Sequence, residues 1–272
     1  MKLIRQFIYF VYQQSISCIF PIAIFITLAI SKVIDPPLIH RYDFILIICV
    51  LIQIMMVVSG LESKEELKVI SIFHVIGLGL ELYKVHMGSW AYPEPAWAKV
   101  FGVPLYSGFM YASVASYLCQ SWSRLKLRLH GWPSAVWTAL IGCGIYLNFF
   151  THHYLYDMRW ILTALLIVVF YRTYVEFSVK EVTYRMPLVL SFVLIGFLIW
   201  IAENIATFLG AWQYPYQRLA WSFVDFGKIS SWFLLVIISF IIVAQLKHVK
   251  ESLRRGEPEG LMAGETKNGL NA

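Results

Sequence analysis

Eight apolar runs, each 18 to 23 residues long, set the terms for what this 272-residue chain can fold into. They lie at about 8–30, 44–61, 67–87, 103–121, 132–150, 160–178, 187–209 and 228–246. A helix that crosses a bilayer needs about 20 mainly apolar residues, because it must satisfy its backbone polar groups internally. Composition agrees: 59% of residues are hydrophobic and 14% charged, whereas a soluble domain is nearer half apolar and about a quarter charged. The expected fold is all-α, a polytopic membrane bundle of eight transmembrane helices within residues 1–255. Aromatics at 17% suit a chain that crosses the interfacial belt many times.

Two of these runs end in the same pattern. Glu81-Leu-Tyr-Lys-Val-His-Met-Gly88-Ser89-Trp90-Ala-Tyr92-Pro93 returns as Glu203-Asn-Ile-Ala-Thr-Phe-Leu-Gly210-Ala211-Trp212-Gln-Tyr214-Pro215. Both read Glu, six residues, Gly, a small residue, Trp, any residue, Tyr, Pro, at an offset of 122. Four spans separate the copies, so both face one side of the membrane. That arrangement predicts two parallel four-helix repeats, about 1–122 and 123–246, related by an axis along the membrane normal. Tyr42-Asp43 and Tyr156-Asp157 are weaker echoes, as are the mixed-charge loops Glu62 to Lys68 and Glu176 to Arg185.

The net charge of +6 is not a nucleic-acid footprint, since the basic residues sit in short loops. Fourteen lie on the N-terminal side of the expected bundle and seven on the other. The positive-inside rule then predicts a multi-pass membrane protein with both termini cytoplasmic. The first run is too long for a signal-peptide core and lacks a small-residue cleavage site, so it reads as an uncleaved helix. Pro21 should kink it, and Gln13, Gln14 and Ser17 should face other helices. Residues 256–272 are rich in Gly, Glu and Asn and read as a disordered cytoplasmic tail. Cys18, Cys49, Cys119 and Cys143 are scattered within apolar runs and read as small buried hydrophobes.

Glu81 and Glu203 each precede the helix-ending Gly by seven residues, about 10 Å inside the helix end. A carboxylate at that depth is costly and turns toward the bundle interior or a water cavity. Two that approach an axis favour one retained proton, as a general acid requires. The structural alternative is a helix tie, such as Glu81 to Lys84. His74, seven residues before Glu81, lies on the same face and joins the two acids as a catalytic candidate, with Gly77 and Gly79 between. His86, His152, His153 and Asp157 gather near the outer surface. They lack fixed metal-ligand spacing, so no metal is expected. No phosphate-binding motif occurs, so no cofactor is expected either.

In the Trp-x-Tyr-Pro turns, Gly lets the helix end, Trp and Tyr anchor at the interface, and Pro stops continuation. Trp90, Tyr92, Trp212 and Tyr214 can also roof a site as substrate-binding residues, joined by Asn204 beside Glu203 and by His152. Trp97, Tyr216 and Trp221 extend this aromatic mouth. Asp225 with Lys228, and Arg172 with Glu176, read as helical ion pairs.

The stretch Glu81 to Pro95, followed by Phe101-Gly102-Val103-Pro104-Leu105-Tyr-Ser-Gly-Phe-Met-Tyr, resembles the uncharacterised YoaT-type family of bacterial integral membrane proteins. The match covers nearly the whole chain. The resemblance implies a membrane location. Locally, Glu81, Gly88, Trp90, Tyr92 and Gly102 to Leu105 are also similar to membrane carotenoid hydratases and small lycopene cyclases. This second likeness implies a lipophilic, isoprenoid or polyene substrate handled by carboxylic acid–base chemistry. The alternatives are a transporter of small solutes or ions that uses paired intramembrane glutamates, and a non-catalytic structural or sensory membrane protein. The expected partners are bilayer lipid and a lipophilic small molecule.

Overall fold

The structure, a computed structural model, describes residues 2–34 and 38–255. The expected tail at 256–272 lies outside the described residues. The helices are α1 (Lys2–Ser17), α2 (Ile19–Ile34), α3 (Arg41–Val58), α4 (Lys64–His86), α5 (Ser107–Arg124), α6 (Ala135–Thr151), α7 (Arg159–Phe170), α8 (Leu188–Phe208) and α9 (Lys228–Arg255). Five short strands accompany them: β1 (Lys99–Val100), β2 (Val103–Pro104), β3 (Arg128–His130), β4 (Tyr174–Val179) and β5 (Val182–Pro187). The molecule is thus mainly helical.

Of the eight expected spans, α3, α4 and α8 are long and apolar enough to cross a membrane. Counting α1 with α2 as one bent span makes four. Two of the others, α7 and α5, fall short for local reasons. The helix of the sixth run stops at Phe170 as the 12-residue α7, which rises about 18 Å against the 30 Å of a hydrocarbon core. α5 carries buried Ser113, Ser116, Gln120 and Ser121, which lower its hydropathy.

The first run breaks at Cys18, with a bend of 66° between α1 and α2. Pro21 is the cause, although the break falls before it. A proline ring collides with the carbonyl four residues earlier, here Ser17, the last residue of α1. Pro21 itself then sits in the first turn of α2, where its missing N–H costs nothing.

The strands correct the all-α expectation. From Tyr174 to Pro187 the chain alternates β-branched or aromatic residues with polar ones, a strand period. Lys180 takes φ 58° to close the hairpin. β3 pairs antiparallel with β4, and β4 with β5. Glu176 therefore lies across from both Arg128 and Arg185. It pairs with Arg185 Nε at 3.1 Å and His130 Nε2 at 3.7 Å, which replaces the expected helical pair with Arg172.

α4 starts with a capping box: the Glu66 amide donates to Ser63 Oγ at 3.3 Å, and the Ser63 amide donates to Glu66 Oε2 at 3.0 Å. α2 packs on α3 and α5, and α6 packs on α7 and α9. α4 lies against α5, as α8 lies against α9. Both of the latter contacts use a glycine. A Cβ on Gly77 would lie 2.5 Å from Tyr111, and one on Gly196 would lie 3.1 Å from the Phe233 backbone. One apolar core joins α4 to α9 through Phe73, Leu166, Phe170, Phe192 and Ile237. A second joins α2, α3 and the segments after α4 and α8 through Phe20, Ile24, Tyr42, Tyr106 and Ala211. Cys49 and Cys119 are buried as expected, but Cys143 faces outward from α6.

Candidate functional site

Both motif copies end their helices in the same hydrogen bonds. The Gly88 amide donates to Val85 O and the Gly210 amide to Thr207 O, each at 3.0 Å. The Ser89 amide donates to Lys84 O and the Ala211 amide to Ala206 O, each at 2.9 Å. Together these make a Schellman cap, which needs a left-handed residue after the helix. Gly88 (φ 69°) and Gly210 (φ 76°) supply it. The two turns then pair with each other. The Ala91 amide donates to Gln213 O, and the Gln213 amide to Ala91 O, both at 2.9 Å. Ala91 and Gln213 occupy equal places in the motif, so the bridge has local two-fold character.

Folding back brings each motif tyrosine onto its own glutamate. Tyr92 OH donates to Glu81 Oε2 at 2.8 Å, and Tyr214 OH donates to Glu203 Oε1. Glu81 also accepts from Trp90 Nε1 at 2.6 Å and from Tyr111 OH of α5 at 2.9 Å. Glu203 accepts from Trp232 Nε1 of α9 at 2.6 Å. The glutamates are 6% and 3% exposed. Burial, followed by the facing carboxylates, pushes the Tyr92 and Tyr214 phenols well above their usual range. Both therefore stay protonated donors. The Trp90 and Tyr214 rings meet edge to face at 6.0 Å, linking the two carboxylate clusters.

A cavity of about 480 Å³ receives both glutamates. Trp90, Tyr92, Trp212, Tyr214 and His152 also line it, while Ile145, Leu234, Leu235 and Ile238 form its apolar part. Three of those aliphatic residues belong to the main core. Not every candidate reaches it. His74 packs edge-on against Phe109 at 4.5 Å and borders Gly108. It is half-buried and stands outside the cavity lining. Asn204 donates to Trp200 O at 2.8 Å and accepts from the Val224 amide at 2.9 Å. It ties the segment before α9 to α8. Tyr216 lines the cavity and stacks on Tyr214 at 5.4 Å. Trp97 and Trp221 stand outside the lining, and His86 is exposed.

The lining residues that escaped the sequence reading of the site include Tyr111, Trp232, Lys84, Arg159 and Lys228. Tyr111 and Trp232 sit 121 residues apart on the helix after each motif, which is nearly the repeat offset and a usable signal. Lys84 does not tie Glu81. Its ammonium donates to Phe149 O at 3.1 Å and lies 3.1 and 3.4 Å from the Nε2 atoms of His153 and His152. Nor does the Lys228 ammonium pair with Asp225. It sits 4.8 Å over the Tyr214 ring and 5.5 Å over Trp90. Among the described residues no three His, Cys, Asp or Glu side chains gather as a metal site.

A family model described as "Protein of unknown function (DUF817)" matches residues 6–240. The chain is 61% identical over 251 residues to a protein of Bacillus subtilis (strain 168) described as "Uncharacterized protein YoaT". That alignment covers 92% of this chain and 95% of the relative. No solved structure matches. The carotenoid-enzyme likeness is carried by neither match.

Proposed function

We propose from its geometry that this chain, which belongs to the DUF817 family, is an inner-membrane protein whose shared-carboxylate cavity works as a membrane-embedded enzyme site. The substrate is a lipophilic molecule of isoprenoid or polyene type. With α1 and α2 as one bent span, eight helical segments remain, matching the eight apolar runs. The packing partners of α2 to α5 recur in α6 to α9, which supports two parallel four-helix halves. In this reading both termini are cytoplasmic and the motif turns face outward.

One observation carries the proposal: both motif carboxylates line one cavity that is polar and aromatic near the turns and apolar beneath. A lipophilic chain fits the apolar part, and the reacting carbon lies near the carboxylates. Glu81 accepts three donors, which occupy most of the roughly four lone pairs of a carboxylate. Glu203 accepts two and keeps free lone pairs out of the roughly four available to a carboxylate, so it is the group that exchanges a proton. In its acid form Glu203 protonates a double bond. Aromatic faces stabilise the resulting cation. Water then adds to that carbon, and its released proton returns to the Glu203 carboxylate.

The test is turnover. Wild-type protein, Glu203→Gln and Glu81→Gln are each placed in liposomes with bacterial lipid extract, and the products are read by mass spectrometry. We expect a new hydrated product with the wild type, its loss in Glu203→Gln, and an unchanged melting temperature for that variant. Unaltered extracts with every protein overturn the enzyme reading. The second reading, a transporter, draws on the equal contribution of one carboxylate by each half. It predicts Glu203-dependent solute uptake into the same liposomes.

A further inference from the structure

We propose that the cavity takes a single-chain amphiphile with an anionic head, a phosphate or carboxylate, held by Lys84, His152, His153 and Arg159. The inference rests on the lipophilic-substrate reading above and names the polar end of that substrate.

The carboxylate wall is already satisfied by neutral donors. Of the two lysines and one arginine that line the cavity, Arg159 alone is held in an ion pair among the described residues. Lys84 is 4% exposed, and its bonds go to one carbonyl and two imidazoles. The Lys228 ammonium lies over the Tyr214 and Trp90 rings and feels the Glu203 carboxylate from beyond ion-pair distance. Among the described residues neither lysine comes within ion-pair distance of a carboxylate, whereas Arg159 pairs with Asp157 at 2.6 Å. A buried ammonium without a counter-ion is costly. Around Lys84 the two imidazole atoms, His152 Nε2 and His153 Nε2, become donors on protonation, Ser89 Oγ lies 3.5 Å from His153 Nε2, and Phe149 O is the fixed acceptor. This is the composition of an anion site at the cavity mouth.

The imidazoles add a proton linkage. Burial first, and then the Lys84 ammonium, hold His152 and His153 below the usual histidine range. Lys228 acts in the same direction on His153, and Asp157 opposes on His152. Both rings are therefore neutral acceptors for Lys84 in the empty site. An arriving anion reverses that balance and draws protons onto them, so affinity should rise as pH falls.

The experiment uses the full chain in phosphatidylcholine nanodiscs, with tryptophan fluorescence corrected for partition into empty nanodiscs. The probes are decyl phosphate, decanol, decyltrimethylammonium and inorganic phosphate. We expect decyl phosphate to bind at least roughly tenfold more tightly than decanol or the cationic probe, and more tightly at about pH 6 than at about pH 8. Lys84→Met should abolish that preference. The exposed His153→Ala should weaken it and flatten the pH dependence even if Lys84→Met fails to fold. Equal binding of decanol, or preference for the cationic probe, overturns the anionic head. Full competition by inorganic phosphate overturns the amphiphile and leaves a free-ion site. If no decyl probe binds, the lipophilic-substrate reading fails along with this inference. If all bind alike, only this inference fails.

Discussion

Replacing Arg41 should destabilise the molecule far more than replacing its only acidic partner. Arg41 is 9% exposed at the start of α3. Its guanidinium donates to Glu94 Oε1 at 2.6 Å, Leu209 O at 2.6 Å, Gly210 O at 3.2 Å, Leu28 O at 3.3 Å and Ser31 Oγ at 3.1 Å. Leu209 and Gly210 cap α8, so the cation also meets the negative end of that helix. The Glu94 side chain is 35% exposed, so its ion pair is worth about 0–1 kcal/mol. Hydrogen bonds from a charged donor contribute about 1.5–3 kcal/mol each. Arg41→Met strands several buried carbonyls at once, so its loss should reach about 3–5 kcal/mol. At roughly 2–4 °C per kcal/mol, Arg41→Met lowers the apparent melting temperature by roughly 6–20 °C, and Glu94→Gln by less than about 4 °C. Tryptophan fluorescence melts in one detergent at one scan rate measure both. A Glu94→Gln shift as large as that of Arg41→Met would refute the reasoning, because the ion pair rather than the helix-end carbonyls would then dominate.

Gly77→Ala drives a Cβ to 2.5 Å from Tyr111, the residue that donates to Glu81, and should cost about 1–3 kcal/mol by overpacking. Gly79→Ala meets open space and should be neutral or stabilising by up to about 1 kcal/mol; equal melting shifts for the two would refute this. Glu62 lies between α3 and α4, where burial raises its pKa above the ordinary 4.5. With the folded pKa raised, its contribution is fully present below about pH 4.5 and is lost as pH rises through the folded value. Glu62→Gln can still meet Ser116 and can donate to Gln53 Oε1, which has no partner. The variant should melt at or above the wild type at about pH 8; a lower melting temperature there would contradict the claim.

Much of the candidate site was legible because identical spacing imposes identical backbone. Once Gly88 and Gly210 end their helices in the same cap, Tyr92 and Tyr214 must return to the same height as Glu81 and Glu203. What the spacing could not give was the partner helix. Tyr111 and Trp232 act through contacts between sequential helices, and only the near-equality of their separation with the motif offset hints at them. Lys84 was visible as an ion inside an apolar run. Its target was not, because the nearby acid at i−3 competes on paper with a carbonyl of α6 that only the tertiary structure brings close. His74 has the right face but packs under Phe109. In the fold, the hairpin at Tyr174–Pro187 was hidden by an apolar run that continues into it, and by a turn at Lys180 that adopts a left-handed conformation without glycine.

The rung between Ala91 and Gln213 also has a mechanical consequence. It joins the two turns that bring Trp90, Tyr92, Trp212 and Tyr214 to the cavity. Lifting Tyr92 off Glu81 pulls on Ala91, and through the rung on Gln213 and Tyr214. Displacement of one tyrosine from its carboxylate is therefore transmitted to the other turn through two backbone hydrogen bonds.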